Sequence, residues 1–313
     1  MATESGFIVL TPDSAICISI IINIILSFAK TSDGILIADL EQDVNNATLK
    51  INTDKIPLIF IHNTKRLNIY FVKFVTNVKI MSIRENITKI KKDLAVLGVK
   101  LVAVSKTKSN EEIMEAYEAG QRVFGENHVQ ELVEKYEALP KDIQWHLIGH
   151  LQTNKVKYIA PFIHLIESVD SLKLLQEINK QALKNNRVID CLLQVYIADE
   201  ETKFGLGYDE LIELLRSEEF QELKNVRILG LMGIATNTEI ERQINEEFKE
   251  LAVLYTGIKQ SYFRKDDYFT EISMGMSSDY KLAVENGSTM VRLGSTIFGK
   301  RVIKHYKNTE NED

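Results

Sequence analysis

The sequence predicts a single (β/α)8 barrel, an α/β fold, over residues 81–313. Three observations carry this expectation. Strand-like and helix-like segments alternate through eight units; the strand segments are apolar on both faces; and glycine and polar residues crowd the positions just after each strand. An open doubly wound sheet explains the alternation less well, because eight consecutive βα units suffice to close a barrel.

Ile83, Ile87, Ile90 and Leu94 recur at helical spacing and predict an amphipathic helix ahead of the first strand. Strands are expected at Lys100–Ser105, Arg122–Phe124, Gln144–Ile148, His164–Val169, Ile189–Ile197, Ile228–Ile234, Phe269–Ser273 and Met290–Leu293. The helical patterns between them are Glu111–Glu118, Val129–Ala138, Ser171–Lys184, Tyr208–Arg216 and Glu239–Lys259, with a short helix at Asp279–Glu285 closed by the Asn286-Gly287 cap signal. No internal repeat and no low-complexity linker interrupts this order, so one domain is expected.

Residues 1–80 read differently. They hold sixteen isoleucines but two glycines, and their seven basic and seven acidic side chains cancel, so the whole net charge of −6 belongs to residues 81–313. The apolar run from Ala15 to Ala29 contains Ser19, Asn23 and Ser27 and is shorter than the ~20 residues a spanning helix needs. No positive charge precedes it, as a secretory signal would require. The expectation is an atypical leader, translated upstream of a native start at Met81 and lacking a stable membrane association; the alternative is an extra small domain or a membrane-associating arm.

Composition narrows the function. Apolar residues at 45% and charged residues at 26% describe a globular chain, and a net charge of −6 argues against general attraction to nucleic acid or anionic lipid. Two cysteines without a CxxC, Cys17 and Cys191, leave neither a disulfide framework nor a cysteine-rich zinc site and fit a reducing, cytoplasmic setting. A small-molecule partner is expected.

In a barrel of this kind chemistry gathers where strands end. Val102, Val104 and Lys106 share one face by the period of two, which carries a lysine amine toward the mouth from the first strand. A partly desolvated amine can attack an aldehyde to form an imine, whereas the plain alternative is a lysine reaching out to solvent. The ends of strands seven and eight supply Ser273-Met274-Gly275-Met276-Ser277 and Gly294-Ser295-Thr296, glycine and hydroxyl residues where this fold recurrently binds phosphate. A phosphate at one end and an imine-forming lysine at the other suggest pyridoxal 5′-phosphate (PLP). Other signals are weaker: His146 and His150 lack a third metal ligand, Glu126, Glu167 and Asp170 have no fixed separation that would make a glycosidase pair, and Gly205-Leu206-Gly207 lacks the third glycine of a dinucleotide fingerprint.

Seven stretches, AVSKTK (Ala103 to Lys108), AGQRVFGENHVQE (Ala119 to Glu131), WHLIGHLQTNK (Trp145 to Lys155), TKFGL (Thr202 to Leu206), GLMGIA (Gly230 to Ala235), SMGMSSDY (Ser273 to Tyr280) and VRLGSTIFGKR (Val291 to Arg301), run in order through the region. On these, residues 81–313 resemble the pyridoxal phosphate homeostasis protein family, whose barrel is similar to the cofactor-binding domain of alanine racemases. Ser109 departs from the resemblance, standing where a proline often follows the lysine motif, at a helix start that tolerates either. The resemblance implies that Lys106 is the Schiff-base lysine, that Asn127 and His146 lie near the pyridine ring, that Ser273, Met274, Gly275, Gly294 and Ser295 surround the phosphate, and that Arg292 faces the ring nitrogen. An always-charged guanidinium there disfavours a proton on that nitrogen and weakens the ring as an electron sink.

Two function classes follow. One is a monomeric PLP carrier that meets PLP-dependent apoenzymes and accepts amino acids as external aldimines with little catalysis, with no catalytic residue and no metal; the other is a PLP-dependent racemase or decarboxylase. Racemisation needs a second acid/base group, which the related racemases take from a C-terminal domain, and the fourteen residues after Gly299 are too few for one. The carrier is the expected reading.

Overall fold

The computed structural model describes residues 82–198 and 204–299. The leader at 1–80 and the Thr202-Lys203 part of the loop after strand five therefore lie outside the described residues. Within them the order is α1 (Ile83–Val96), β1 (Lys100–Val104), α2 (Asn110–Glu118), β2 (Val123–Glu126), α3 (Val129–Ala138), β3 (Gln144–Leu147), α4 (Val156–Ile159), β4 (Leu165–Val169) and α5 (Leu172–Lys184). The second half follows with β5 (Ile189–Val195), α6 (Tyr208–Arg216), α7 (Glu218–Gln221), β6 (Val226–Gly233), α8 (Glu241–Tyr262), β7 (Glu271–Met276), α9 (Tyr280–Glu285), β8 (Met290–Leu293) and α10 (Ser295–Phe298). The strands form a closed parallel barrel in sequence order, sealed where β1 pairs with β8 from Lys100↔Met290 to Ala103↔Leu293.

Alternation along each strand separates two apolar layers. Val102, Leu165, Leu192, Met232 and Met290 pack together inside the barrel, while their neighbours Leu101, Ala103, Phe124, Trp145, Leu147, Ile166 and Leu193 face the helices. This is the pattern that required strands apolar on both faces. Helix α1 begins at a capping box in which the Ser82 hydroxyl accepts from Glu85 N and the Glu85 carboxylate accepts from Ser82 N. It buries Ile87, Ile90 and Leu94, and Asn86 donates to the Ile297 carbonyl at 2.9 Å, joining the two ends of the barrel domain. Ser109 likewise caps α2 in a box with Glu112, which explains how a serine serves at that position.

Strand limits differ from the sequence expectation in places that matter. β2 continues to Glu126, and β7 begins at Glu271 and runs on to Met276, because its register shifts between Ser273 and Met276 and Gly275, at φ +97°, keeps the glycine-rich stretch within the strand. A Cβ at Gly275 would stand 2.5 Å from the Ala283 Cβ and 2.9 Å from the Tyr280 Cα, so α9 can pack here only against glycine. The short helices α4, α7 and α10 have no periodic signal in the sequence. Among the described residues no helix is long and apolar enough to cross a membrane, and no cluster of His, Cys, Asp and Glu could hold a metal ion.

Candidate functional site

Lys106 stands half-buried in the turn after β1, two residues beyond Val104, the last residue of the strand. Thr107 next to it adopts φ +66°, a conformation that a β-branched residue rarely takes. Opposite, across the barrel seam, the Ser277 hydroxyl accepts from Gly294 N at 3.1 Å and from Thr296 N at 3.3 Å. Two amides of the β8–α10 turn thus converge on one oxygen, at the start of a helix where peptide dipoles favour negative charge. Gly294 lies against β1, where a Cβ would come 3.4 Å from the Val104 carbonyl oxygen. Ser295 opens α10, and the Met276 amide donates to the Asp279 carboxylate at 2.6 Å. Ser277, within the phosphate-type stretch but not among the residues the resemblance assigns to the phosphate, is the side chain that touches this amide pair. Its place in a run of small polar residues gave no signal to separate it from Ser278.

Inside the barrel a second group forms a continuous polar chain. The His146 Nδ1 lies 2.7 Å from Glu167 Oε1; Glu167 Oε2 accepts from the Ser273 hydroxyl at 2.6 Å; the Ser273 oxygen accepts from Arg292 at 2.6 Å; and Arg292 donates to the Gly233 carbonyl at 2.9 Å. All four side chains are buried, Glu167 and Ser273 with no exposure at all. Burial alone would push the Glu167 carboxyl up, but the hydrogen bond and charge of His146, the Arg292 charge and the Ser273 hydroxyl together hold it below the ordinary carboxylate range. It is therefore ionised, and His146 donates from Nδ1. Burial pulls the Arg292 guanidinium down from its ordinary range, with Glu167 and Asp279 opposing, and it keeps its charge.

The sequence-derived residues thus divide. Lys106, Gly294 and Ser295 stand at the mouth. Ser273 and Arg292 join His146 in the interior chain rather than the amide pair. The His146 ring also stacks on His164, the residue just before β4, with centroids 5.6 Å apart, which places it toward the base of the barrel. The Met274 side chain is buried in the outer apolar layer, so whatever it offers at the mouth comes from its main chain. Asn127 follows β2 with its Oδ1 buried and without a partner among the described residues, and Gly149 makes room for its main chain, since a Cβ there would lie 2.5 Å from the Asn127 carbonyl oxygen. Glu167 is the pivot of the interior chain, and sequence reasoning weighed it only as half of a carboxylate pair. On the rim, His150 Nδ1 meets Asp170 at 2.9 Å and its ring stacks on Phe204 at 4.0 Å. Cys191 is fully buried and its thiol is pushed far up by burial, as an inert core residue requires.

Residues 78–302 match the model of the alanine racemase N-terminal domain family. The pyridoxal phosphate homeostasis protein of Aquifex aeolicus is 44% identical over 203 residues, 64% of this chain and 87% of that protein. Its Escherichia coli K12 counterpart is 39% identical over 208 residues, 65% of this chain and 86% of that one. Among solved structures, PipY of Synechococcus elongatus with PLP bound is 35% identical, with a TM-score of 0.63 over 70% of this chain and all of that one. Fold, motif order and relatives agree, and the chain belongs to the alanine racemase N-terminal domain family, among the pyridoxal phosphate homeostasis proteins.

Proposed function

We propose that this chain binds PLP through Lys106 and acts in intracellular, cytoplasmic PLP homeostasis as a carrier, without substantial catalysis. The observation that carries the proposal is the barrel mouth itself: a half-buried lysine in the turn after β1 and two convergent amides on the neighbouring β8–α10 turn, with a buried arginine in the barrel interior. This donor set suits a phosphorylated aromatic aldehyde. The amides of Gly294 and Thr296 and the hydroxyls of Ser277 and Ser295 would receive the phosphate; the unpartnered Asn127 oxygen is a buried polar atom that a ligand at the mouth would satisfy. PLP supplies an aldehyde for the lysine amine and a ring that draws electrons. The chain's own residues do the rest. Lys106 would offer the nucleophile; Arg292, held between Ser273 and the Gly233 carbonyl, would present a fixed positive charge toward the ring; and Glu167 balances that charge while fixing the His146 tautomer. A positive charge there opposes protonation of the ring nitrogen, which is why the carrier reading is preferred.

A second reading, an amino-acid racemase, rests on His150, whose orientation by Asp170 at the rim gives the mouth one more acid/base group. Addition of PLP to the purified protein followed by borohydride and peptide mapping tests the proposal. The label is expected on Lys106 and absent from Lys106→Ala; label on another lysine, or unchanged label in the variant, refutes the assignment. Functional binding is proposed to need residues 81–313 only.

A further inference from the structure

The residues on both sides of Lys106 are gripped from outside the barrel, Ser105 by a buried ammonium and Thr107 by a carboxylate bound to that ammonium. Lys135, on α3 and 5% exposed, donates to the Ser105 carbonyl at 2.7 Å, to Glu126 Oε1 at 2.8 Å and to Glu131 Oε1 at 2.6 Å. The Ser105 hydroxyl donates to the same Glu126 oxygen at 2.6 Å, and Thr107 N donates to the same Glu131 oxygen at 2.6 Å. Ser105 and Glu126 continue the outward alternation of Ala103 and Phe124, so the cluster sits between β1, β2 and α3 and does not enter the mouth.

Two physical points give this cluster a task beyond stability. A buried ion triad is a weak stabiliser, because desolvating three charges offsets most of their attraction. Glu126 shows that cost: burial pushes its carboxyl up against the opposing effect of Lys135, and its Oε2 has no partner. Meanwhile the φ of +66° at Thr107 stores about 1–3 kcal/mol of strain and persists only where its surroundings over-determine it. The bond from Thr107 N to Glu131, itself fixed by Lys135, is such a constraint.

We infer that Lys135 is a positioning residue for Lys106: with Glu126 and Glu131 it locks the turn after β1 in its strained form and thereby sets where the Lys106 amine stands. The inference rests on the proposed PLP site and concerns its rate of covalent capture, since displacement of a reacting group by about 1 Å costs on the order of a hundredfold in rate.

The test uses the full chain and two ligands. Pyridoxine 5′-phosphate has ring and phosphate but no aldehyde, and its equilibrium binding reads the pocket alone. The rate of borohydride-fixed labelling of Lys106 by PLP reads the amine. Lys135→Met and Glu131→Ala are expected to bind pyridoxine 5′-phosphate within about threefold of the parent while labelling roughly ten- to a hundredfold more slowly. Glu131→Gln, whose amide oxygen still accepts from Thr107 N, is expected to restore most of the rate. Should Lys135→Met fail to fold, the glutamate pair carries the test, since Glu131 lies at the partly exposed edge of the cluster. Unchanged labelling rates, or a parallel loss of both readouts, overturn the inference. Absence of pyridoxine 5′-phosphate binding by the parent chain overturns the PLP reading itself, and this inference with it.

Discussion

Replacing Glu167 with glutamine keeps the shape of the interior chain and removes its charge. In the folded protein Glu167 accepts from Ser273 at 2.6 Å and from His146 at 2.7 Å and lies 3.9 Å from the Arg292 guanidinium, with no exposure to water. Removing one partner of a buried ionic group leaves the other uncompensated, at a cost of about 3–5 kcal/mol. For a domain of this size each kcal/mol shifts Tm by about 2–4 °C, so Tm is expected to fall by roughly 6–20 °C at neutral pH. The pH dependence has a definite sign. The folded-state pKa of Glu167 is depressed, so its contribution is present above the unfolded value of 4.5 and is lost as pH falls through the lower folded value. The stability gap between parent and Glu167→Gln should therefore be widest near neutrality and shrink below about pH 4.5. Chemical denaturation at a series of pH values measures both quantities. A loss below about 1 kcal/mol, or a gap that does not narrow in acid, would refute the claim that an ionised Glu167 balances Arg292.

With PLP bound, the parent chain should exchange the α-proton of alanine in deuterated water far below ordinary enzymatic turnover, on the order of 1 to 10³ per second; racemisation within that range would favour the enzyme reading. Arg292→Gln, which removes the fixed charge, should raise the exchange rate, and an unchanged or lower rate in a variant that still takes up PLP counts against the role given to Arg292. Thr107→Gly should stabilise the apo protein by up to about 1 kcal/mol in denaturation, because glycine adopts a positive φ without strain; a loss of stability would show that the turn is not strained. A chain shortened to begin at Met81 should keep the Tm and PLP binding of the full chain, and insolubility or lost binding would give the first 80 residues a role.

The barrel was readable because burial on both sheet faces leaves a signal in every strand, and the strand ends stand out where apolar runs give way to glycine and polar residues. Lys106 stands out in the sequence through its parity with Val102 and Val104, and the structure places it in the turn just beyond β1. What escaped depended on three-dimensional closure. Ser273 reads as part of a phosphate-type loop, yet β7 extends through the glycine and turns Ser273 inward onto Glu167 and Arg292. Glu131 and Lys135 look like an ordinary surface pair at i, i+4 until Glu126 and the β1 turn are packed beneath them. Met274 carries no mark in the sequence that would separate a main-chain from a side-chain contribution, and the four-residue α10 is too short to show a period.

The seam between β1 and β8 joins residue 100 to residue 290, and the two halves of the mouth stand on either side of it. During synthesis the amine of Lys106 emerges early, but the amides of Gly294 and Thr296 are among the last described parts of the barrel to be made. No partly made chain holds a complete pocket, and pairing across so long a stretch of sequence is a slow step in folding. Ligand capture at the proposed site would consequently report that the circle has been completed. A ligand that binds only the closed form draws late folding intermediates toward it by mass action, so a cofactor held at the proposed site would favour closure of the barrel.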